Sequence, residues 1–145
     1  MSRSNYREDI DNWQLIKWRG MVASETRGRR GQKLFRDLLA ALEAMPEKRL
    51  IASELETETG DVCALGAVGK ARGVDMSAID PEEPEQVAPA FDIAECLAQE
   101  IAFMNDEWDL RGDETPEGRW TRMRDWVKEQ IAATQREARD AHPGR

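Results

Sequence analysis

The chain has 145 residues, 40% hydrophobic and 34% charged: enough for a single domain, 1–145, with its own core, and too apolar for a disordered segment. Its longest apolar run is far too short to span a bilayer, and the opening Met1-Ser2-Arg3-Ser4-Asn5-Tyr6 has no signal-peptide core, so a soluble cytoplasmic protein is expected. The net charge of −8 is unevenly spread: residues 1–50 carry net +4, residues 51–118 net −15 and residues 119–145 net +3.

Two readings of that charge pattern stand. Basic terminal helices neutralise the acidic middle within one molecule, or the middle presents an acidic face to a basic partner. Residues 1–7 are expected to fray. Residues 8–26 read as a helix, with Ile10, Trp13, Ile16 or Lys17, Gly20 and Met21 forming an apolar stripe and Asp9 and Asp11 near its start. Trp13 and Trp18 fall on different faces, and at least one is assigned to the core. Thr26 to Gly31 reads as a break, because two glycines and three arginines neither bury nor favour helix. Gln32 to Met45 is the clearest helix. Leu34, Phe35, Leu38, Leu39 and Leu42 make its buried stripe, and Pro46 ends it.

Lys48 to Leu55 and Asp61 to Cys63 then read as the two strands of a small hairpin, turning through Glu56 to Gly60. Ala64 to Arg72 follows as a buried central helix with Gly73 as its left-handed cap. Gly66 and Gly69 each cost roughly 1 kcal/mol against alanine there, which makes sense if another backbone passes close by. After a loop from Asp75 to Asp80, prolines and acids open another helix, interrupted near Pro89 and Phe91-Asp92. Ile93, Leu97, Glu100 or Ile101, and Met104 carry a second helix into an acidic loop, Asn105 to Glu114. Thr115-Pro116 starts the last helix, buried through Trp120, Met123, Val127, Ile131 and Thr134 and running to about Arg139, with residues 139–145 fraying. The fold expected is mostly α: five or six helices around a central glycine-rich buried helix, with a minor two-stranded β-hairpin.

Gly60-Asp-Val-Cys63-Ala-Leu65-Gly66, then Asn105-Asp106, then Arg124-Asp125-Trp126-Val127 together resemble an uncharacterised family of small phage and prophage proteins. That family carries a Gly-x-x-Cys-x-Leu-Gly segment, an Asn-Asp element and a final Asp-Trp-Ile/Val helix. The opening Asp11-Asn-Trp13-Gln-Leu-Ile-Lys-Trp18-Arg-Gly20 and Met45 to Ala52 resemble a narrower prophage subgroup, and the match covers about residues 8–131. The broader family often has two adjacent cysteines where this chain has Val62-Cys63. The resemblance implies a phage-borne accessory protein in the host cytoplasm and supplies no activity.

Several chemistries are disfavoured by the residues present. Cys63 and Cys96 read as buried free thiols. Nucleophilic catalysis needs a base beside the thiol, and the only histidine, His142, lies near the chain end. Two cysteines and that histidine do not make a zinc site. Gly66-Ala-Val-Gly69-Lys70 lacks the early glycine of a phosphate loop, has Ala71 where a hydroxyl should reach magnesium, and has apolar flanks unlike a KH loop. The loop Asn105 to Glu114 fits no EF-hand register and reads as solvated, with Asn105 and Asp106 ending a helix and offering side chains that can hold the loop backbone. Trp18, Trp108 and Trp126 either mark a dimer face or cover the core.

No enzyme, cofactor or metal is expected. The function expected is a non-enzymatic accessory protein that binds a host or phage protein, with inhibition of a host defence complex as its form. The candidate partner-binding residues are Arg27, Arg29, Arg30, Lys33 and Arg36 in the basic turn and Glu82, Glu83, Asp106 and Glu107 in the acidic middle. The alternative is a nucleic-acid-associated accessory protein contacting phosphates through the basic cluster.

Overall fold

The computed structural model describes residues 2–6, 11–108 and 112–141. Among these, six α-helices and one 3₁₀ turn make up the regular structure: α1 (Asn12–Arg27), α2 (Arg29–Ala44), α3 (Ala64–Arg72), α4 (Pro84–Phe91), α5 (Glu95–Asp106) and α6 (Pro116–Asp140), with the turn at Met76–Ala78. The short α3 is buried from Ala64 to Gly69 and packs chiefly on α2, with further contact to α5.

α2 forms where its leucines dictate. Leu34, Phe35, Leu38 and Leu42 are fully buried against α3 and α6, the latter presenting Trp120, Met123 and Val127. The Trp120 indole N–H donates to the Leu42 carbonyl at 3.1 Å, and the Trp126 ring meets Phe35 edge-on at 5.5 Å. Thr115 caps α6 by accepting from the Gly118 N–H, with Pro116 at the first helical position, as its sequence predicts.

α3 spans the residues expected and is closed by Gly73 at φ 73°, whose N–H bonds back into the last turn. Its glycines explain its position. A Cβ at Gly66 would lie 1.9 Å from the Leu55 carbonyl oxygen, and one at Gly69 would lie 2.6 Å from the Met76 sulfur. The backbone expected to pass close by is the loop preceding Glu56.

That loop is where the expected hairpin fails. Residues 48–63 contain one isolated antiparallel bridge, Glu56 to Val62, and no hairpin forms among the described residues. Ser53 takes a left-handed φ of 73°, which breaks the extended run. The Leu50 N–H bonds to the Pro116 carbonyl at the start of α6 instead of to a neighbouring strand. Ile51 and Leu55 still bond to Val62 and Cys63 of the expected partner segment, but the turn at Ser53 and the diversion of Leu50 leave these as separate contacts and not a ladder.

The expected break at Thr26 to Gly31 is a single residue, Gly28. α2 begins at Arg29, and Gly31 lets it cross close to the end of α1, since a Cβ there would lie 2.0 Å from the Glu25 carbonyl oxygen. Pro89 sits inside α4 without breaking it, and the helix ends at Asp92 in a left-handed conformation, φ 55°. No described helix is long and apolar enough to cross a membrane.

The apolar stripe read on α1 faces outward. Val22 and Thr26 are its buried residues, Trp18 is half-buried, and Trp13, Ile16 and Met21 are exposed. Ile10 lies outside the described residues. The cause is a helix with apolar residues on both sides, so periodicity alone does not choose which side packs.

Two glycine substitutions separate these roles. Gly66→Ala should lower the unfolding free energy by about 3 kcal/mol or more, because backbone and not a flexible tip blocks the methyl. Gly20→Ala, with nothing within 4 Å of the added Cβ, should raise it by about 0.5–1 kcal/mol. Denaturant titration of the two variants reads both.

Candidate functional site

The polar interior is concentrated where α3 begins and α5 ends. Asn105, 1% exposed, accepts from the Ala64 N–H at 3.1 Å and donates to the Ile51 carbonyl at 2.9 Å and to Asp106 Oδ1 at 2.8 Å. Cys63 is the N-cap of α3, its sulfur accepting from the Gly66 N–H at 3.4 Å. Asp106 Oδ1 also accepts from the Ser53 N–H at 3.2 Å. The motif residues Cys63, Gly66, Asn105 and Asp106 therefore meet in one place, with α5 ending on the loop that α3 grows from.

Arg3 closes this cluster. Its Nε and Nη2 donate to the two carboxylate oxygens of Asp106 at 2.7 and 2.6 Å, and its Nη1 donates to the Cys63 sulfur at 3.4 Å. The side chains of Arg3 and Asp106 are 3% and 9% exposed, so this is a buried ion pair. Burial alone would lower the Arg3 pKa. The adjacent sulfur and carboxylate more than offset that and hold the guanidinium charge firmly in place.

Around Arg3, the Ser4 hydroxyl donates to Glu107, and Gln99 donates to the Ser4 carbonyl. The Tyr6 hydroxyl donates to Glu100 at 2.8 Å, and its ring meets Phe103 and Trp18. Burial pushes the Tyr6 hydroxyl pKa up, and Glu100 adds to the effect. Arg19 of α1 forks onto Glu100 at 2.8 and 3.0 Å, and this hydrogen bonding raises the Arg19 pKa.

Residues 2–6, expected to fray, are thus built in: Arg3 and Ser4 are 4% and 1% exposed. Nothing in their own sequence announces this. Glu100, a carboxylate on the buried stripe of α5, requires a cationic partner, and Arg19 of α1 supplies it rather than any of residues 2–6.

Arg119 and Arg122 reach back from α6 to the other side of the cluster. Arg119 donates to the Asn105 and Leu50 carbonyls, and Arg122 to the Met104 carbonyl and to Glu114. The carboxylate expected in a solvated loop, Glu114, is held by these arginines, and Asn105 and Asp106 end α5 as their helix-terminal reading has it. Asp109, Leu110 and Arg111 of that loop lie outside the described residues, as does His142. Among the described residues no three Asp, Glu, His or Cys side chains gather as a metal site. Cys63 and Cys96 are both buried and free, and burial pushes the Cys96 thiol up.

The proposed partner-binding residues divide. Asp106 and Glu107 face inward onto Arg3 and Ser4. Arg27 pairs with Glu137 at 3.6 Å, Arg30 with Glu25 and Asp92, and Lys33 with Asp37. Arg29 and Arg36 make no ion pair among the described residues. They recur with Lys33 at i, i+4 and i+7 on the exposed face of α2. Glu82 is exposed. Glu83 is the half-buried N-cap residue of α4, held above its ordinary carboxyl range by neighbouring Glu85.

Trp13, Leu15, Ile16 and Met21 on α1 are 66, 42, 63 and 53% exposed, and Lys17 lies over the Trp13 ring at 5.7 Å. A groove of about 210 Å³ runs between α1, α5 and α6, with Arg19, Thr26, Glu100, Gln130 and Thr134 among its walls. Its main charged pair, Arg19 and Glu100, is already mutually satisfied. Comparison of the chain with family models, curated proteins and solved structures finds no match.

Replacing Asn105 tests the joint. Asn105→Ala strands the Ala64 N–H and the Ile51 carbonyl in the interior and should cost about 2–4 kcal/mol in a denaturant titration. Asn105→Asp keeps an acceptor for Ala64 but removes the donor and adds a carboxylate beside Asp106. It should cost at least as much.

Proposed function

We propose that this chain is a non-enzymatic binding protein that docks a partner protein on the outer face of α1. The observation that carries the reading is the exposure of Trp13, Ile16 and Met21 on one side of a helix whose other side is packed. Large apolar side chains clustered on a surface favour a protein interface, and tryptophan is the commonest energetic anchor there. Gly20, on the same side with open space above it, leaves room for a close backbone.

Charge selects the partner. The outer face of α1 carries Lys17 and Arg27 and no acidic residue, and the α2 stripe of Arg29, Lys33 and Arg36 continues the basic border. A second copy of the chain would oppose like charges, so the fitting occupant is an apolar patch edged with carboxylates. The phage resemblance suggests what such docking achieves: occupation of a host protein surface, with blockade of a defence complex as the form. The acidic segment around Glu82 and Glu83 remains a second face of the same kind, suited to a basic partner.

The nucleic-acid reading draws on Arg29, Lys33 and Arg36, and one experiment separates it from protein docking. Tagged protein is incubated with host lysate, with and without nuclease, and the retained material is quantified at increasing salt. Trp13→Ser with Ile16→Ser should keep the thermal midpoint at or above wild type while weakening retention of a nuclease-resistant protein by about tenfold or more. Arg29→Ala with Arg36→Ala should weaken it less. Loss of all retained material on nuclease treatment, with steep salt dependence and full sensitivity to the arginine variants, would establish phosphate contacts instead.

A further inference from the structure

We propose that Asp106 and Cys63, with the aliphatic wall beside them, form a guanidinium socket that Arg3 fills in cis and that accepts an arginine side chain from a partner when residues 2–6 swing away.

The socket has the shape of its ligand. Asp106 offers both carboxylate oxygens to the Nε and Nη2 edge of Arg3, and the Cys63 sulfur accepts a hydrogen bond from Nη1. A lysine ammonium cannot reproduce this planar, three-point fit. Leu55, Leu65, Ala98 and Ala102 line the small cavity beside the side chain and give its aliphatic stem an apolar surface.

The socket also keeps its form without Arg3. Asp106 Oδ1 is fixed by the Asn105 amide and the Ser53 N–H, and the Cys63 sulfur by the Gly66 N–H. None of these bonds involves residues 2–6. A site held by its own scaffold binds without first having to be ordered.

Residues 2–6, by contrast, are held by side chains. Among the described residues no backbone–backbone hydrogen bond ties them to the helices; the attachments are Arg3 to Asp106 and Cys63, Ser4 to Glu107, Gln99 to Ser4, and Tyr6 to Glu100 and Arg19. A segment attached in this way opens at lower free energy than the helices beneath it. Opening removes the cation paired with Asp106 among the described residues, which is unfavourable. The open form therefore persists only when another guanidinium takes the place of Arg3, so release of the segment is coupled to the identity of the incoming side chain. Glu107 nearby, bonded to the Ser4 hydroxyl in the closed form, adds a negative charge that favours a basic peptide. The socket shares no residue with the outer face of α1, so it stands or falls separately from the docking reading.

The test uses the full chain carrying Arg3→Ala, with N-acetyl-arginine amide as the probe and N-acetyl-lysine amide as the control. Alkylation of Cys63 is followed by peptide mass spectrometry with Cys96 as internal reference, alongside the thermal midpoint. Arg3→Ala should alkylate several-fold faster at Cys63 than wild type. The arginine probe should slow that reaction saturably and raise the midpoint, the lysine control should do neither, and adding Asp106→Asn should abolish the response. Arg3→Lys is the second variant, folded through its retained charge and stem, and the arginine probe should protect its Cys63 in the same way. Equal protection by both probes, or none by arginine in either variant, would overturn the socket.

Discussion

The carboxamide of Asn105 is the joint on which the fold turns. α3 is a short helix that must begin inside the protein, and a buried helix start leaves backbone N–H groups with no partner in their own helix. Asn105 supplies an acceptor for the first of them, at Ala64, and uses its own N–H groups to hold the Ile51 carbonyl and Asp106. Cys63 supplies a weaker acceptor for Gly66 one turn later. With those groups satisfied, α3 can be buried, and Gly66 then brings it against the Leu55 carbonyl. The end of α5, the loop before α3 and the start of α6 are fixed together by this one set of bonds, with Arg119 and Arg122 capping the exposed carbonyls of α5 from the other side.

The rest of the molecule falls into two tiers around that joint. α2, α3, α4, α5 and the first half of α6 share the apolar core. α1 and residues 2–6 lie over it, with Val22 and Thr26 as the buried residues of α1 and the forked Arg19–Glu100 and Arg3–Asp106 pairs as the principal fastenings. The buried pair of that set is valuable for orientation more than for net stability, because desolvation consumes much of the Coulomb gain. Such a layer is where binding and switching are placed in other proteins, since its opening does not require the core to unfold.

How much of this was legible in the sequence depends on the element. The leucine stripe of α2, the Thr115-Pro116 start of α6 and the Gly73 cap of α3 were readable because each is a local signal with a local cause. The close approach at Gly66 was readable because helical glycines cost stability without a packing reason. The hairpin was misread: Leu50, Ile51 and Leu55 have strand character, yet their backbone groups bond to Pro116, Val62 and Cys63 across a left-handed Ser53. The outward face of α1 was misread because Trp13 and Ile16 compete with Trp18 and Val22 for the interior, and only the tertiary context chooses. Arg3 was invisible. Its partner lies 103 residues away, and no periodicity connects them. For the site, the sequence marks Cys63 as a buried thiol and Asn105 and Asp106 as helix-ending side chains able to hold loop backbone, but not that the three form one network with Arg3.

The most direct measurement of the central claim is native-state hydrogen exchange at the Ala64 amide. Ala64 is the first residue of a helix, a position whose N–H ordinarily exchanges fast for want of an intrahelical acceptor. With Asn105 as its partner, that amide should exchange as slowly as Ala67 and Ile101 in the core, by global unfolding, while the α1 amides exchange sooner through local opening. Fast exchange at Ala64, or α1 amides protected as strongly as those of α3, would contradict the joint and the two-tier arrangement built on it.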